Sequence, residues 1–231
     1  MDALVKNLLE ELNCETVFKI PVLGGIPVSE SVVVTWIIMA IVMLLSLILV
    51  RNLSVEHPSK RQVAIEAVVK SGHDFFSDIM DGEGKQFYFY LMTVMVYIGI
   101  SNLIGLFGFK PPTKDLNVTA ALAIMSIILI QTAGIAKKGV RGWIRSFKEP
   151  MIILTPINIL ELFIKPLSLC MRLFGNVLGA FVIMELIKLV VPAFVPLVFS
   201  LYFDIFDGLI QAYVFVFLTG LFMAEAMESE D

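Results

Sequence analysis

The chain has 231 residues, 58% hydrophobic and 16% charged, with a net charge of −4 and a mean hydropathy of +0.89. Globular domains average about 45–50% apolar and about 25% charged residues, so this balance excludes an ordinary soluble core and indicates a polytopic membrane protein. The negative charge argues against nucleic acid as a partner. Cys14 and Cys170 have no metal-ligand neighbours, so no zinc site is expected.

Residues 1–30 set Lys6 and Lys19 against Asp2, Glu10, Glu11, Glu15 and Glu30. No basic, apolar leader opens the chain, so insertion is expected to rely on the mature helices. Three charge-free runs follow, at 31–50, 86–109 and 116–136. About 20 apolar residues span a bilayer as a helix, so each predicts a transmembrane helix. Between the first and second runs lie Arg51, Lys60, Arg61, Lys70 and Lys85; after the third lie Lys137, Lys138, Arg141, Arg145 and Lys148. Only Lys110 and Lys114 separate the second from the third. The positive-inside rule therefore places the N-terminus outside and both basic loops in the cytoplasm.

Residues 58–80 begin with a proline and carry Val63, Ala67, Val68, Phe75, Phe76 and Ile79 beside Lys60, Arg61 and Lys70. This pattern predicts an amphipathic helix on the membrane surface, with a soluble hairpin helix as the alternative. DGEGK, residues 81–85, predicts the turn into the second span.

From Pro150 onward charge interrupts the apolar sequence. Glu161, Lys165, Arg172, Glu185 and Lys188 fall in one stretch, Asp204 and Asp207 in the next, with Pro192 and Pro196 between them. Two long helices are predicted, 158–191 and 196–227. The fold expected is thus all-α and polytopic: five membrane-crossing helices and one surface helix. It divides into an extracytoplasmic segment 1–30, a three-span unit 31–148 and a polar helix pair 149–231, ending in the cytoplasm.

An arginine stays charged at any ordinary pH, and at mid-membrane it costs roughly 2.5–3.5 kcal/mol on insertion scales. On a helical wheel Ser168, Gly175, Asn176 and Gly179 lie within about 60° of Arg172, as do Glu161 and Lys165. Glycines four residues apart allow close approach of another helix, so the arginine is expected to face a protein partner. Glu185 lies on another side and about 20 Å further along, which suggests a separate aqueous pocket. Gln211, Asp207, Asp204 and Glu225 share one side of the last helix, which is expected to face the preceding one. Plainer readings accompany each: Asn176 and Gln211 as structural glue, Asp204 and Asp207 as solvated interfacial acids, Glu161 and Lys165 as an i,i+4 pair.

PINILELFIKPLSLCMRLFGN, residues 156–176, with its RLFGN core, resembles subunit a of the F-type ATP synthases, as does GLIQAYVF, residues 208–215. The resemblance implies a stator subunit with two offset half-channels beside a rotating c-ring, against which the two long tilted helices stand. It implies the peripheral-stalk b subunit and the rest of the synthase as partners. It further implies H⁺ or Na⁺ as the translocated ion, no cofactor and no chemistry catalysed by this chain itself; the missing transit peptide suggests a bacterial plasma membrane in preference to an organelle-encoded chain. Arg172 corresponds to the stator arginine, Gln211 to its polar neighbour on the last helix, and Asn176 to a half-channel asparagine. Glu161, Glu185, Asp204 and Asp207 are further ion-path candidates; Ser168, Gly175 and Gly179 are the close-packing positions. The sequence departs from the family pattern at Phe181, where many relatives carry an acid or histidine, and at Asp204, where some carry histidine or glutamate. A secondary transporter holding an anionic substrate at Arg172, or a structural membrane scaffold, are the competing readings.

Overall fold

The structure, a computed structural model, describes residues 16–20, 26–147, 152–190 and 195–228. Two short strands, β1 (Thr16–Ile20) and β2 (Ile26–Ser29), pair antiparallel. The sequence analysis assigns this segment no structure, yet Thr16, Val17, Ile20, Ile26 and Val28 are the β-branched residues that strands favour. Among the described residues, six helices at least 19 residues long follow in chain order: α1 (Glu30–Val50), α2 (Lys60–Ile79), α3 (Lys85–Leu103), α4 (Leu116–Ser146), α5 (Thr155–Val190) and, after the short α6 (Val195–Ser200), α7 (Gly208–Met227). Among the described residues, five stretches are long and apolar enough to cross a membrane: Glu30–Val50, Lys85–Phe107, Leu116–Ser146, Thr155–Lys188 and Val198–Met227. The protein is an all-α polytopic membrane protein as its sequence predicts, with the small hairpin as an addition.

Local chemistry sets the boundaries. The Ser59 hydroxyl accepts a hydrogen bond from the Gln62 amide, capping α2. The Asp115 carboxylate accepts from the Asn117 amide, capping α4. The DGEG turn is confirmed: Gly82 and Gly84 both take positive φ, which glycine adopts without Cβ strain.

α3, α4 and α7 form the centre. One core cluster joins Phe76 and Met80 to Tyr88 and Leu91 of α3, Ile130 and Ala133 of α4, and Val216, Met223 and Met227 of α7. A second joins Val94 and Ile98 of α3, Leu122 and Ala123 of α4, Ala212 and Phe215 of α7, and Leu169, Cys170 and Leu173 of α5. α1 stands apart. It buries only Ser31, Val34 and Ile38, while Trp36, Met39, Met43, Leu44 and Leu47 are exposed. In water that surface would be a liability; on a membrane span it is the lipid-facing side.

Three features differ from the predicted elements. First, the apolar stripe of α2 divides: Phe76 is buried, with Phe75 and Ile79 packed against the core, whereas Val63 and Val68 remain exposed. Second, α4 is broken at Gly139, whose φ of 71° and ψ of 167° are not helical. The basic residues beyond the break therefore lie on a short helical return, held by Trp143 Nε1 donating to Gln131 Oε1 at 2.7 Å. Third, the predicted last helix is not uniform. Residues Leu201–Asp207 wind as a π-helix between α6 and α7, with Tyr202 and Phe206 stacked at 5.4 Å. A π stretch bonds i to i+5 and is rare outside functional segments. Its wider winding displaces Asp204 from the position that 3.6 residues per turn predict relative to Gln211.

α5 has 36 residues, about 54 Å at 1.5 Å per residue. That exceeds a hydrocarbon core of about 30 Å, so this helix must tilt or protrude. Pro166 lies inside it; a proline removes one helical hydrogen bond, a loss that membrane helices tolerate when neighbours satisfy the freed group.

Candidate functional site

Leu169, Cys170 and Leu173 turn into the core, and Thr119 Oγ1 lies 3.6 Å from Cys170 Sγ. This fixes the rotation of α5. The other face then carries Ser168, Arg172, Gly175 and Asn176, all exposed. A Cβ built on Gly175 or Gly179 meets nothing within 4 Å. Among the described residues, Arg172 makes no hydrogen bond or ion pair. Ser168, Arg172, Gly175 and Asn176 thus share one exposed face, as the wheel places them, with the half-buried Gly179 one turn further on.

The predicted polar stripe of the last helix is only partly where sequence reasoning puts it. α7 packs mainly against α3 and α4, and its buried side is mostly apolar, with Ala212, Phe215, Val216 and Met223, but also takes in Thr219. Gln211 is 6% exposed at the edge of that side. Arg172 and Gln211 share no hydrogen bond among the described residues. Wheel arithmetic finds which residues share a side; which neighbour that side meets is set by the whole bundle.

The acids divide into three environments. Asp204 is half-buried, and its Oδ2 accepts from Ser200 Oγ at 2.6 Å. Its other oxygen lies against Gly105, where a Cβ would stand 3.0 Å away. Asp207 is half-buried beside it on the π stretch. Glu161 is the i,i+4 partner of Lys165 at 3.5 Å, and Lys165 also reaches both carboxylate oxygens of Glu225 at 2.9 Å. Glu185 lies on α5, but its side chain is outside the described residues, so the predicted separate pocket is not examined by the geometry.

Sequence reasoning missed a polar group around the turn before α4. Thr113 Oγ1 donates to Asn102 Oδ1 at 2.7 Å, and Asn102 Nδ2 donates to the Gly208 carbonyl at 3.0 Å. Ser31 Oγ donates to Asp115 Oδ2 at 2.5 Å. Lys114 is buried, and its Nζ lies 3.4 Å from the centroid of the Phe181 ring. Asn102 was detectable as a polar residue inside a charge-free run. Lys114 was not: between PPT and DLN it looks like a solvated loop residue, and only the packing of four helices around the turn buries it.

Fold and site together define a polytopic helical membrane protein with an intramembrane arginine on an open, small-residue face. The chain belongs to the ATP synthase A chain family, which matches residues 32–224. It is 37% identical over 203 residues to ATP synthase subunit a of Moorella thermoacetica, covering 87% of this chain and 92% of that protein. It is 32% identical to ATP synthase subunit a 2 of Bradyrhizobium sp., over 90% of this chain and 92% of the relative. It is also 30% identical to the sodium ion specific ATP synthase subunit a of Propionigenium modestum, over 86% of this chain and 74% of the relative. The protein is thus an ATP synthase component and multi-pass in the membrane.

Proposed function

We propose that this chain is the ion-translocating stator subunit of a rotary ATP synthase and that Arg172 couples ion flow to rotation of a c-ring. One observation carries this reading. Arg172 is exposed on an apolar membrane helix, without an ion pair or hydrogen bond among the described residues, where Gly175 and Gly179 leave open space. A charge so costly to insert calls for compensation from another chain, and a ring carboxylate supplies it.

The physical sequence follows from charge. A permanent cation beside a passing carboxylate favours its ionised form. The bound ion leaves through one half-channel, the ring turns, and the carboxylate reloads from the other. Because arginine keeps its proton, it also repels a cation crossing directly between the half-channels. The membrane potential contributes about 2.3 kcal/mol per charge per 100 mV. Ser168, Gly175 and Gly179 give the ring close approach; Asn176, Gln211, Glu161, Glu185, Asp204 and Asp207 are the polar groups proposed for the ion paths. The translocated ion is H⁺ or Na⁺, the choice kept open by the sodium ion specific relative. The c-ring, the b subunit and the rest of the synthase are the partners, and this subunit catalyses no chemistry itself. Loop charge supports an external N-terminus and a cytoplasmic C-terminus.

The test is ATP-driven ion uptake into proteoliposomes holding the assembled complex, with and without Na⁺ and an uncoupler. Uptake of ²²Na⁺ that survives the uncoupler identifies sodium; sodium-independent acidification that the uncoupler collapses identifies protons. Uncoupled ATP hydrolysis with neither signal, from an intact complex, refutes the stator assignment.

A further inference from the structure

α5 and α7 are the two helices that the proposed mechanism requires at a fixed spacing, yet each takes most of its packing from elsewhere. α5 lies mainly on α4, and α7 on α3 and α4; direct contact between α5 and α7 is sparse. Among the described residues, the two helices share one core cluster, with Leu169, Cys170 and Leu173 from α5 and Ala212 and Phe215 from α7, and one polar junction. That junction is Lys165. Its ammonium is 2.9 Å from both oxygens of Glu225 on α7 and 3.5 Å from Glu161 on its own helix. It also lies 5.1 Å from the centroid of the Phe222 ring, again on α7.

We infer that Lys165 is a positioning residue: with Glu161 and Glu225 it clamps α5 to α7 and holds the Arg172 face at its working distance from the ring. This inference rests on the stator reading above. Three features support it. The lysine side chain is only 22% exposed, while its carboxylate partners are 54% and 49% exposed, so the ammonium sits inward, between helices. Contact with both Glu225 oxygens fixes the lysine head more closely than a single contact would. Glu161 holds the same ammonium from the preceding turn, which limits its rotamers without adding an interhelical bond. Helix rise places the clamp about 10 Å before Arg172 and about 21 Å beyond Gln211. It therefore adds a polar tie at the end of the helix pair, beside Phe222 at the margin of the apolar seam. Lys165 touches no reacting group; it acts on Arg172 through helix position.

The experiment measures ATP-driven uptake by proteoliposomes of the whole complex, with ring association checked on each preparation. Lys165→Gln and Glu225→Gln are each expected to slow uptake about fivefold, and the double variant to be no slower than the worse single, since both remove one coupled interaction. Swapping the interhelical charges with Lys165→Glu and Glu225→Lys together, which leaves Glu161 in place, is expected to bring uptake back to within about twofold of the parent, because the geometry needs opposite charges and not a given sign. Additive losses, or either single variant pumping as the parent does, overturns the clamp; so does an inverted junction that assembles yet remains as slow as Lys165→Gln. Arg172→Lys, run alongside, separates the two ideas. If it pumps normally, the stator reading fails; if it is inactive while Lys165→Gln is unimpaired, only the clamp fails.

Discussion

The glycines of α5 and those of α7 have opposite surroundings. At Gly175 and Gly179 an added Cβ meets nothing within 4 Å. At Gly208 it would stand 2.9 Å from Asn102 Cβ, and at Gly220 3.3 Å from Ile79 Cγ2. On α7 the approaching residues belong to this chain, whereas on α5 the space beside the glycines is open. Under the proposed function, the open small-residue face beside Arg172, which has no ion pair among the described residues, is where a ring would stand, and the closed one is core.

The contrast can be broken most severely at Arg172. Arg172→Lys is expected to reduce ATP-driven uptake by at least about a hundredfold, because lysine lacks the delocalised fork and readily loses its proton when desolvated; normal pumping in proteoliposomes contradicts the assignment. Next comes Gly179→Leu. Leucine is the better helix former by up to about 1 kcal/mol and its Cβ meets nothing within 4 Å, so the isolated subunit should keep its thermal stability in detergent. Association with the ring, read by co-purification, should fall. Unaltered association would place the ring contact on another face.

Gly208→Val is expected to behave in the opposite way. Overpacking against Asn102 should destabilise the subunit by about 1–3 kcal/mol, read as a lower unfolding midpoint; an unchanged midpoint means the α3–α7 contact relaxes more freely than its geometry indicates. Asn102→Ala should give a similar or smaller loss, about 1–2 kcal/mol, because it strands the Thr113 hydroxyl and the Gly208 carbonyl. If it leaves stability untouched, the polar junction between the turn and α7 is not structural.

Sequence alone placed the spans because membrane insertion imposes a one-dimensional rule: about 20 apolar residues per helix, with basic residues in the loops. It also found the rotation of α5, since Arg172, Ser168, Asn176 and the two glycines share a side in any straight helix. The resemblance carried by RLFGN and GLIQAYVF reached the family before any coordinates. Three things were beyond it. The π winding breaks the 3.6-residue period that the wheel assumes, and the burial of Lys114 and the Lys165–Glu225 junction depend on residues brought together from distant parts of the chain. Local periodicity records which way a side chain points along its own helix. What stands opposite it is decided by the packing of α3, α4, α5 and α7 against one another.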